Sequence, residues 1–272
     1  MQVFSASPIK MFTNLYHNRE LIRASVKRDI LGRYRGSILG LLWSFFTPLF
    51  MLGVYTFVFS SVFNARWGAE SDSKAEFALI LFAGLLVFNL FAECINRAPG
   101  LILQNVNYVK KVVYPLEILP FVSLLSALFH TLISLGVWLL AYTLVYGIPH
   151  ATALYFPLII LPFLFFLMGL SWALTALGVY LRDISQITGV ITTALMFLSP
   201  IFYPVTALPE KFQHLILFNP LVTIIEQVRG VLYFATPPEF GRLAIYWGVT
   251  LFIAWLGFFI FQKTRKGFSD VL

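Results

Sequence analysis

The sequence predicts an all-α membrane protein with six transmembrane helices, and two observations support this fold class. Of its 272 residues, 59% are hydrophobic and only 11% are charged, whereas soluble domains have about 45–50% apolar and about 25% charged residues. The apolar residues are also grouped in long runs, and about 20 of them as a helix cross about 30 Å of hydrocarbon. A helix pairs its own backbone N–H and C=O groups, so such a run can lie inside lipid without unpaired polar groups.

The predicted spans follow from these apolar runs. They lie at 38–63, 77–95, 118–146, 153–180, 187–203 and 243–261. The third and fourth runs are longer than the hydrocarbon is thick at about 1.5 Å per residue, so they should tilt or project beyond the lipid. The fifth ends in SPIFYP, where Pro200 and Pro204 each remove a backbone donor. The expected organisation is therefore a cytoplasmic tail with an interface helix at 1–37, a six-span domain at 38–261 and a cytoplasmic tail at 262–272.

The N-terminal region has the pattern of an amphipathic helix along the inner membrane surface. Apolar residues recur at helical spacing on one face, while most basic residues lie off that arc. The apolar face consists of Phe12, Leu15, Ile22, Val26 and Ile30. A basic tail that anionic lipid holds electrostatically is the alternative.

A second unusual region lies between spans five and six. Residues 205–240 contain two short apolar pieces, FQHLILF and LVTIIEQVRGVLY, which Asn219 and Pro220 separate. Each piece is too short to cross the membrane, so we predict a re-entrant outer helix pair whose turn is buried by protein. Glu226 and Arg229, at positions i and i+3, can pair with each other or line a polar exit.

The basic residues predict the orientation. The segments on one side of the predicted spans contain 14 of the 19 Lys and Arg residues. By the positive-inside rule both termini face the cytoplasm. The net charge of +7 follows from this bias along a membrane face and does not indicate a nucleic-acid partner.

The sequence contains few groups that could do chemistry. It has no P-loop motif, a single cysteine, Cys94, and four histidines without metal-ligand spacing. His130 is predicted to lie in the middle of the membrane. It is either a proton-relay residue or a neutral histidine that is hydrogen-bonded across a helix interface. The spans lack the paired carboxylate and cation of an ion-coupled secondary transporter. The acids are dispersed in loops, whereas a membrane-embedded glycan-modifying enzyme needs an acid and a base together. We therefore expect no catalytic residue and no metal site.

Four segments in order resemble one family. They are RDILGRYRGSILGLLWSFFTPL at 28–49, NYVKKVVYPLEILP at 107–120, YLRDISQI at 180–187 and SPIFYPVTALPEKFQHLILFNPLVTIIEQVRG at 199–230. Together they resemble the permease family of ABC exporters for polysaccharides, of the Wzm and TagG type. The resemblance implies a homodimeric channel in the bacterial inner membrane that moves a lipid-linked polysaccharide. An O-antigen type substrate is preferred, with teichoic acid, capsule or another lipid-linked substrate as alternatives.

The resemblance also implies partners and contact residues. Two copies of a Wzt-like ABC ATPase would carry ATP and Mg, so this chain itself needs no cofactor. The stretch 107–120, here called the coupling segment, would dock into the ATPase, with Tyr114 filling a cleft as an aromatic anchor. Its predicted contact residues are Tyr108, Lys110, Lys111, Tyr114, Pro115 and Glu117. Arg182 and Asp183 would form a second, smaller contact with the ATPase or pair within the permease. Ordinary positive-inside anchoring is the alternative for both loops.

Three further sets of residues complete the prediction. Trp43, Phe46, Phe50 and Phe57 fall on one helical face and, with Phe197, Phe202 and Tyr203, are predicted to line the channel, where aromatic rings stack on sugars. Lipid contact or helix packing is the alternative. Arg33, Tyr34 and Arg35 would hold the pyrophosphate of a polyprenyl carrier, or anchor lipid headgroups. Asn219, Pro220, Glu226 and Arg229 would lie at an outer gate.

Overall fold

The computed structural model describes residues 7–58, 67, 74–110, 114–216 and 218–272, and within them the regular structure is entirely helical. The α-helices are α1 (Pro8–His17), α2 (Arg19–Arg33), α3 (Trp43–Tyr55), α4 (Lys74–Arg97), α5 (Val106–Lys110), α6 (Ile118–Tyr146), α7 (Phe156–Tyr180), α8 (Ile184–Leu198), α9 (Glu210–Ile216), α10 (Pro220–Leu232), α11 (Phe240–Thr264) and α12 (Phe268–Val271).

Among the residues that the structure describes, five helical stretches are long and apolar enough to cross a membrane. They are Gly40–Val58, Ala75–Gly100, Ile118–Tyr146, Ala151–Tyr180 and Phe240–Val271. The fifth predicted span, 187–203, overlaps α8, which has 15 residues and is shorter than the roughly 20 that cross a bilayer upright. Helix α8 ends because Ser199, which precedes Pro200, adopts an extended backbone with ψ of 150°. The six-span arrangement therefore stays a prediction.

The predicted interface helix is two helices rather than one. Helices α1 and α2 meet at Asn18, whose side-chain Nδ2 donates to the carbonyl of Asn14 at 2.8 Å. The Asn18 main-chain amide also donates to that carbonyl at 3.1 Å, and the break is a local change of the Asn18 backbone to φ of −93° and ψ of 17°. Ile22 is buried in the core, whereas Phe12 is about half exposed, so the predicted apolar stripe does not stay on a single buried face.

Helix α4 forms the centre of the bundle. Its residues are buried along nearly their whole length, and α6, α7, α8 and α10 pack around it. Helix α7 also packs closely on α11, where a Cβ at Gly257 would overlap the carbonyl of Gly169. Small residues allow such close backbone approach between membrane helices. By contrast, α3 is exposed around most of its surface.

The predicted break between the two short outer helices is present. Helix α10 begins at Pro220, and the Asn219 side chain accepts a hydrogen bond from the Leu221 amide at 3.0 Å. Asn219 also donates to Ser199 Oγ at 2.9 Å, which ties the start of α10 to the end of α8. Asparagine is a favoured N-cap and proline a favoured first helical residue, so local chemistry fixes this boundary.

Candidate functional site

The described residues of the coupling segment, 107–110 and 114–120, make contacts with helices α1 and α2. Helix α5 ends at Lys110, an exposed residue whose ammonium group donates to the carbonyl of Leu272. Lys111 lies outside the described residues. Residues 114–117 form the turn that leads into α6, which begins at Ile118.

Two tyrosines attach this segment to α2. The rings of Tyr108 and Tyr114 stack with centroids 4.3 Å apart and planes at 11°. Arg28 Nη2 donates to Tyr108 Oη at 2.7 Å, and Ser25 Oγ lies 3.2 Å from Tyr114 Oη. Tyr114 is only 8% exposed and its hydroxyl faces α2, a position that does not favour an anchor in a partner's cleft, and its contact with the ATPase stays a prediction. Burial also raises the pKa of Tyr114.

Glu117 is a buried junction between four helices. The residue is 5% exposed, and its Oε2 accepts from Arg265 Nη1 at 2.6 Å while its Oε1 accepts from Asn14 Nδ2 at 3.1 Å. Its main-chain carbonyl accepts from Trp172 Nε1 at 2.9 Å. Arg265 also donates to the carbonyl of Tyr114 at 3.3 Å. The start of α6 is therefore joined to α1, α7 and the end of α11 through one carboxylate and its neighbouring carbonyls.

The two remaining coupling predictions lie at the surface. Pro115 is partly exposed in the turn before α6. Arg182 and Asp183 are exposed in the turn between α7 and α8, and neither forms an ion pair among the residues that the structure describes. Of the two roles predicted for this pair, the surface position favours contact with a partner.

An ion-pair network joins α2 to the end of α4. Arg97 Nη2 donates to both carboxylate oxygens of Asp29, at 2.8 and 2.9 Å, and Arg33 Nη2 donates to Glu93 at 2.7 Å. Arg97 also lies 3.5 Å from Glu93. Burial by itself would raise the pKa of Asp29, but the hydrogen bond and charge of Arg97 outweigh it and hold that pKa below its ordinary value.

The predicted pyrophosphate triplet is not brought together as one cluster. Arg33 pairs with Glu93, and Tyr34 Oη lies 3.3 Å from His130 Nδ1. Arg35 is exposed in the turn that follows α2 and lines neither of the cavities that Arg33 lines. The contact with Tyr34 places His130 at hydrogen-bond distance from a residue outside its own helix. This geometry favours the alternative of a histidine bonded across an interface over that of a proton-relay residue.

Two cavities flank the ion-pair network. The arginine cavity, of about 670 Å³, is bounded by α2, α5, α6 and the end of α4, and its lining includes Arg28, Arg33 and Arg97. The histidine cavity, of about 380 Å³, lies between α3, α4 and α6. Its lining includes Trp43, Tyr34 and His130. Arg33 and His130 border both spaces.

The aromatic residues predicted to line a channel fall into two groups. Trp43, Phe46, Phe50 and Phe57 are all exposed on α3 and its continuation. On α8 and the following turn, Phe197 stacks on Phe202 with ring centroids 5.9 Å apart, and Tyr203 Oη donates to the carbonyl of Phe197 at 3.0 Å. The four α3 aromatics and Phe197 are thus exposed, Phe202 and Tyr203 are partly exposed, and their role as channel wall stays a prediction.

Arg229 is a buried clamp rather than the lining of an open exit. The residue is 0% exposed, and its guanidinium donates to the carbonyls of Ile80 at 3.1 Å, of Ile201 at 2.7 Å and of Pro200. Its Nη1 also lies 3.0 Å from Glu226. Of the two predicted alternatives for Glu226 and Arg229, mutual pairing is the one present. Glu226 itself is half exposed and lines an outer cavity of about 660 Å³.

Sequence reasoning missed several residues of these networks. Asp29 and Arg97 are 68 positions apart, and Glu117 and Arg265 are 148 apart, so no local spacing connects the partners. The burial of Arg229 had a sequence signal, because an arginine inside an otherwise apolar helix requires partners. Among the described residues, no three of His, Cys, Asp and Glu lie close enough to hold a metal ion.

Comparisons with known proteins give consistent matches. A family model described as ABC-2 type transporter matches residues 20–233. O-antigen export system permease proteins RfbA from Klebsiella pneumoniae and Myxococcus xanthus are both 26% identical, over 266 and 265 residues, covering 97% and 96% of this chain and 99% of each relative. The polysialic acid transport protein KpsM of Escherichia coli is 25% identical over 246 residues, covering 85% of this chain and 90% of that protein.

Proposed function

Because the chain belongs to the ABC-2 type transporter family, we propose that it forms the channel of an exporter for a lipid-linked polysaccharide of the O-antigen class. The chain is a multi-pass, non-catalytic permease subunit of a polysaccharide ABC exporter, and ATP hydrolysis belongs to a separate ATPase subunit. In the proposal, two copies of the chain form the channel in the bacterial inner membrane with both termini cytoplasmic. Two Wzt-like ATPases, which carry ATP and Mg, bind beneath them.

The coupling segment is proposed to transmit ATPase closure to the spans, and the junction at Glu117 is the observation that supports this role. A displacement of the segment acts directly on Arg265, Asn14 and Trp172, because all three bond the same residue. The stacked Tyr108 and Tyr114 extend the connection to α2. One contact surface can therefore move the interface helices and the spans together.

The surface contact is tested by reversing the charge of Lys110. We expect Lys110→Glu to reduce ATPase co-purification and polysaccharide export, because an exposed cation that meets an acidic rim becomes an anion. Lys211→Glu is the matched control, since Lys211 is an exposed lysine on α9, at the end predicted to face outward. If Lys110→Glu reaches the membrane and both ATPase co-purification and export stay at the wild-type level, Lys110 does not contact the ATPase. Its charge would then serve only the positive-inside orientation of the chain.

The substrate class is proposed from the extent of the similarity. The O-antigen permeases align with 97% and 96% of the chain, whereas the polysialic acid transporter aligns with 85%. Depletion of the chain should cause a lipid-linked glycan to accumulate inside cells, and mass spectrometry of lipid extracts would identify it. A capsule-type or teichoic-acid glycan would replace the O-antigen class, and no accumulation of any lipid-linked glycan would overturn the proposed function.

A further inference from the structure

The arginine cavity has an excess of positive charge at the point where the coupling segment meets α2. Its lining includes Arg28, Arg33 and Arg97, and Asp29 is the only carboxylate among the described lining residues. Glu93 pairs with Arg33 from beyond the lining, so three guanidinium groups and two carboxylates leave one net positive charge here. A volume of about 670 Å³ is large enough for more than a bound water.

The three arginines differ in their partners. Arg97 and Arg33 pair with carboxylates, at 2.8 Å from Asp29 and 2.7 Å from Glu93. Arg28 donates instead to the neutral phenol of Tyr108 at 2.7 Å. A hydrogen bond to an anion is roughly twice as strong as one between neutral groups. Arg28 is therefore the arginine that gains most by exchanging its acceptor for a phosphate oxygen.

A buried hydroxyl also lines the cavity without a partner. Ser123 is 4% exposed, and its Oγ has no hydrogen-bond partner among the described residues. Buried polar groups are nearly always bonded. Because Ser123 belongs to α6, opposite the arginines of α2, an anion between the two helices would supply the missing acceptor.

We propose that the arginine cavity binds a phosphate or diphosphate group, and that Arg28 exchanges Tyr108 for this anion. The inference rests on the proposed function, in which the exported glycan is carried on a lipid with such a headgroup. Tyr108 lies on α5 and stacks on Tyr114, so the exchange removes the bond between Arg28 and the coupling segment. Occupancy of the cavity would thereby loosen the segment that the ATPase contacts.

The exchange is tested by two substitutions with opposite expected effects. Inorganic pyrophosphate is titrated by calorimetry into the full-length permease in nanodiscs of uncharged lipid. Arg28→Gln should weaken binding by roughly 10- to 100-fold, because a charge-assisted bond is lost. Tyr108→Phe keeps the stacked ring but removes the competing acceptor, so it should tighten binding by about threefold or more. Arg23→Gln, on the same helix but outside the cavity, is the matched control and should bind as the wild type does.

Two further arms identify the source of the anion. Nanodiscs containing a polyprenyl diphosphate test the carrier, and nanodiscs containing phosphatidylglycerol test a resident phospholipid. Competition with pyrophosphate by either lipid, lost in Arg28→Gln, supports the site and names its ligand. Binding that is absent, or equal in wild type, Arg28→Gln and Tyr108→Phe, overturns it. The assay needs neither ATPase nor export, so its failure leaves the proposed function standing, and a negative export assay leaves the anion site standing.

Discussion

Replacing Arg229 with methionine should destabilise the protein strongly, although methionine is close in length and apolar. The guanidinium donates to the carbonyls of Ile80, Pro200 and Ile201 and packs 4.3 Å from the ring centroid of Trp67. The Ile80 carbonyl lies inside α4, where helical bonding also serves it. The carbonyls of Pro200 and Ile201 lie in the turn after α8 and would lose their donor.

The magnitude follows from these two carbonyls. An unsatisfied buried acceptor costs about 1–3 kcal/mol, so the substitution should lower the free energy of unfolding by about 2–6 kcal/mol. Glu226 is 43% exposed and stays solvated without its cation, so it adds little to that loss. At about 2–4 °C per kcal/mol, the midpoint of thermal unfolding in detergent should fall by about 4–24 °C. The unfolding midpoint of Arg229→Lys should fall less than that of Arg229→Met, because lysine keeps a charged donor. It should still fall, because the lysine donors are concentrated at one point and cannot reach all the carbonyls.

Arg242→Met is the matched control for this experiment. Arg242 also pairs with a glutamate three positions earlier, but the two side chains are 68% and 62% exposed. An exposed pair contributes at most about 1 kcal/mol. If Arg229→Met lowers the unfolding midpoint no more than Arg242→Met does, the argument from buried carbonyls is refuted.

Four further outcomes are expected. Arg265→Met should lower the free energy of unfolding by about 3–5 kcal/mol, because Glu117 is left buried without its cation. Adding Glu117→Gln should recover part of that loss, and a double variant no more stable than Arg265→Met would contradict this reasoning. Gly257→Leu should abolish folded protein in size-exclusion chromatography, since even a Cβ would overlap the carbonyl of Gly169, whereas Gly248→Leu, at an open position of the same helix, should be tolerated. Asn219→Ala should cost about 1 kcal/mol in thermal unfolding through loss of the α10 cap, and Asn219→Ser should restore much of it; equal losses would remove the capping explanation. The pKa of Asp29 is held below its ordinary 3.8, so its ion pair with Arg97 stabilises α2 above that pH and is lost as the pH falls through the lowered pKa. Asp29→Asn should therefore speed proteolysis of α2 at pH 7. The proteolysis rate of the wild type should be unchanged between pH 7 and pH 5, because Asp29 stays ionised in that range.

The coupling segment shows both the reach and the limit of sequence reasoning. Its charge and its position between apolar runs identify a short polar loop, and Lys110 is exposed as expected. The family resemblance assigned Tyr114 and Glu117 to contact with the ATPase, but in this structure they are 8% and 5% exposed. Their burial depends on Ser25, Asn14 and Arg265, which come from distant parts of the chain.

The sequence alone determined the features that rest on local free energies. The apolar run at 118–146 is helix α6 with the same ends, because a helix satisfies its own backbone wherever lipid replaces water. The break at Asn219 and Pro220 likewise follows from a cap and a missing donor within a few residues. Tertiary structure decided which charges meet. Asp29 finds Arg97, Glu117 finds Arg265 and Arg229 finds the carbonyls of a distant turn, because packing brings together groups that no spacing along the chain relates.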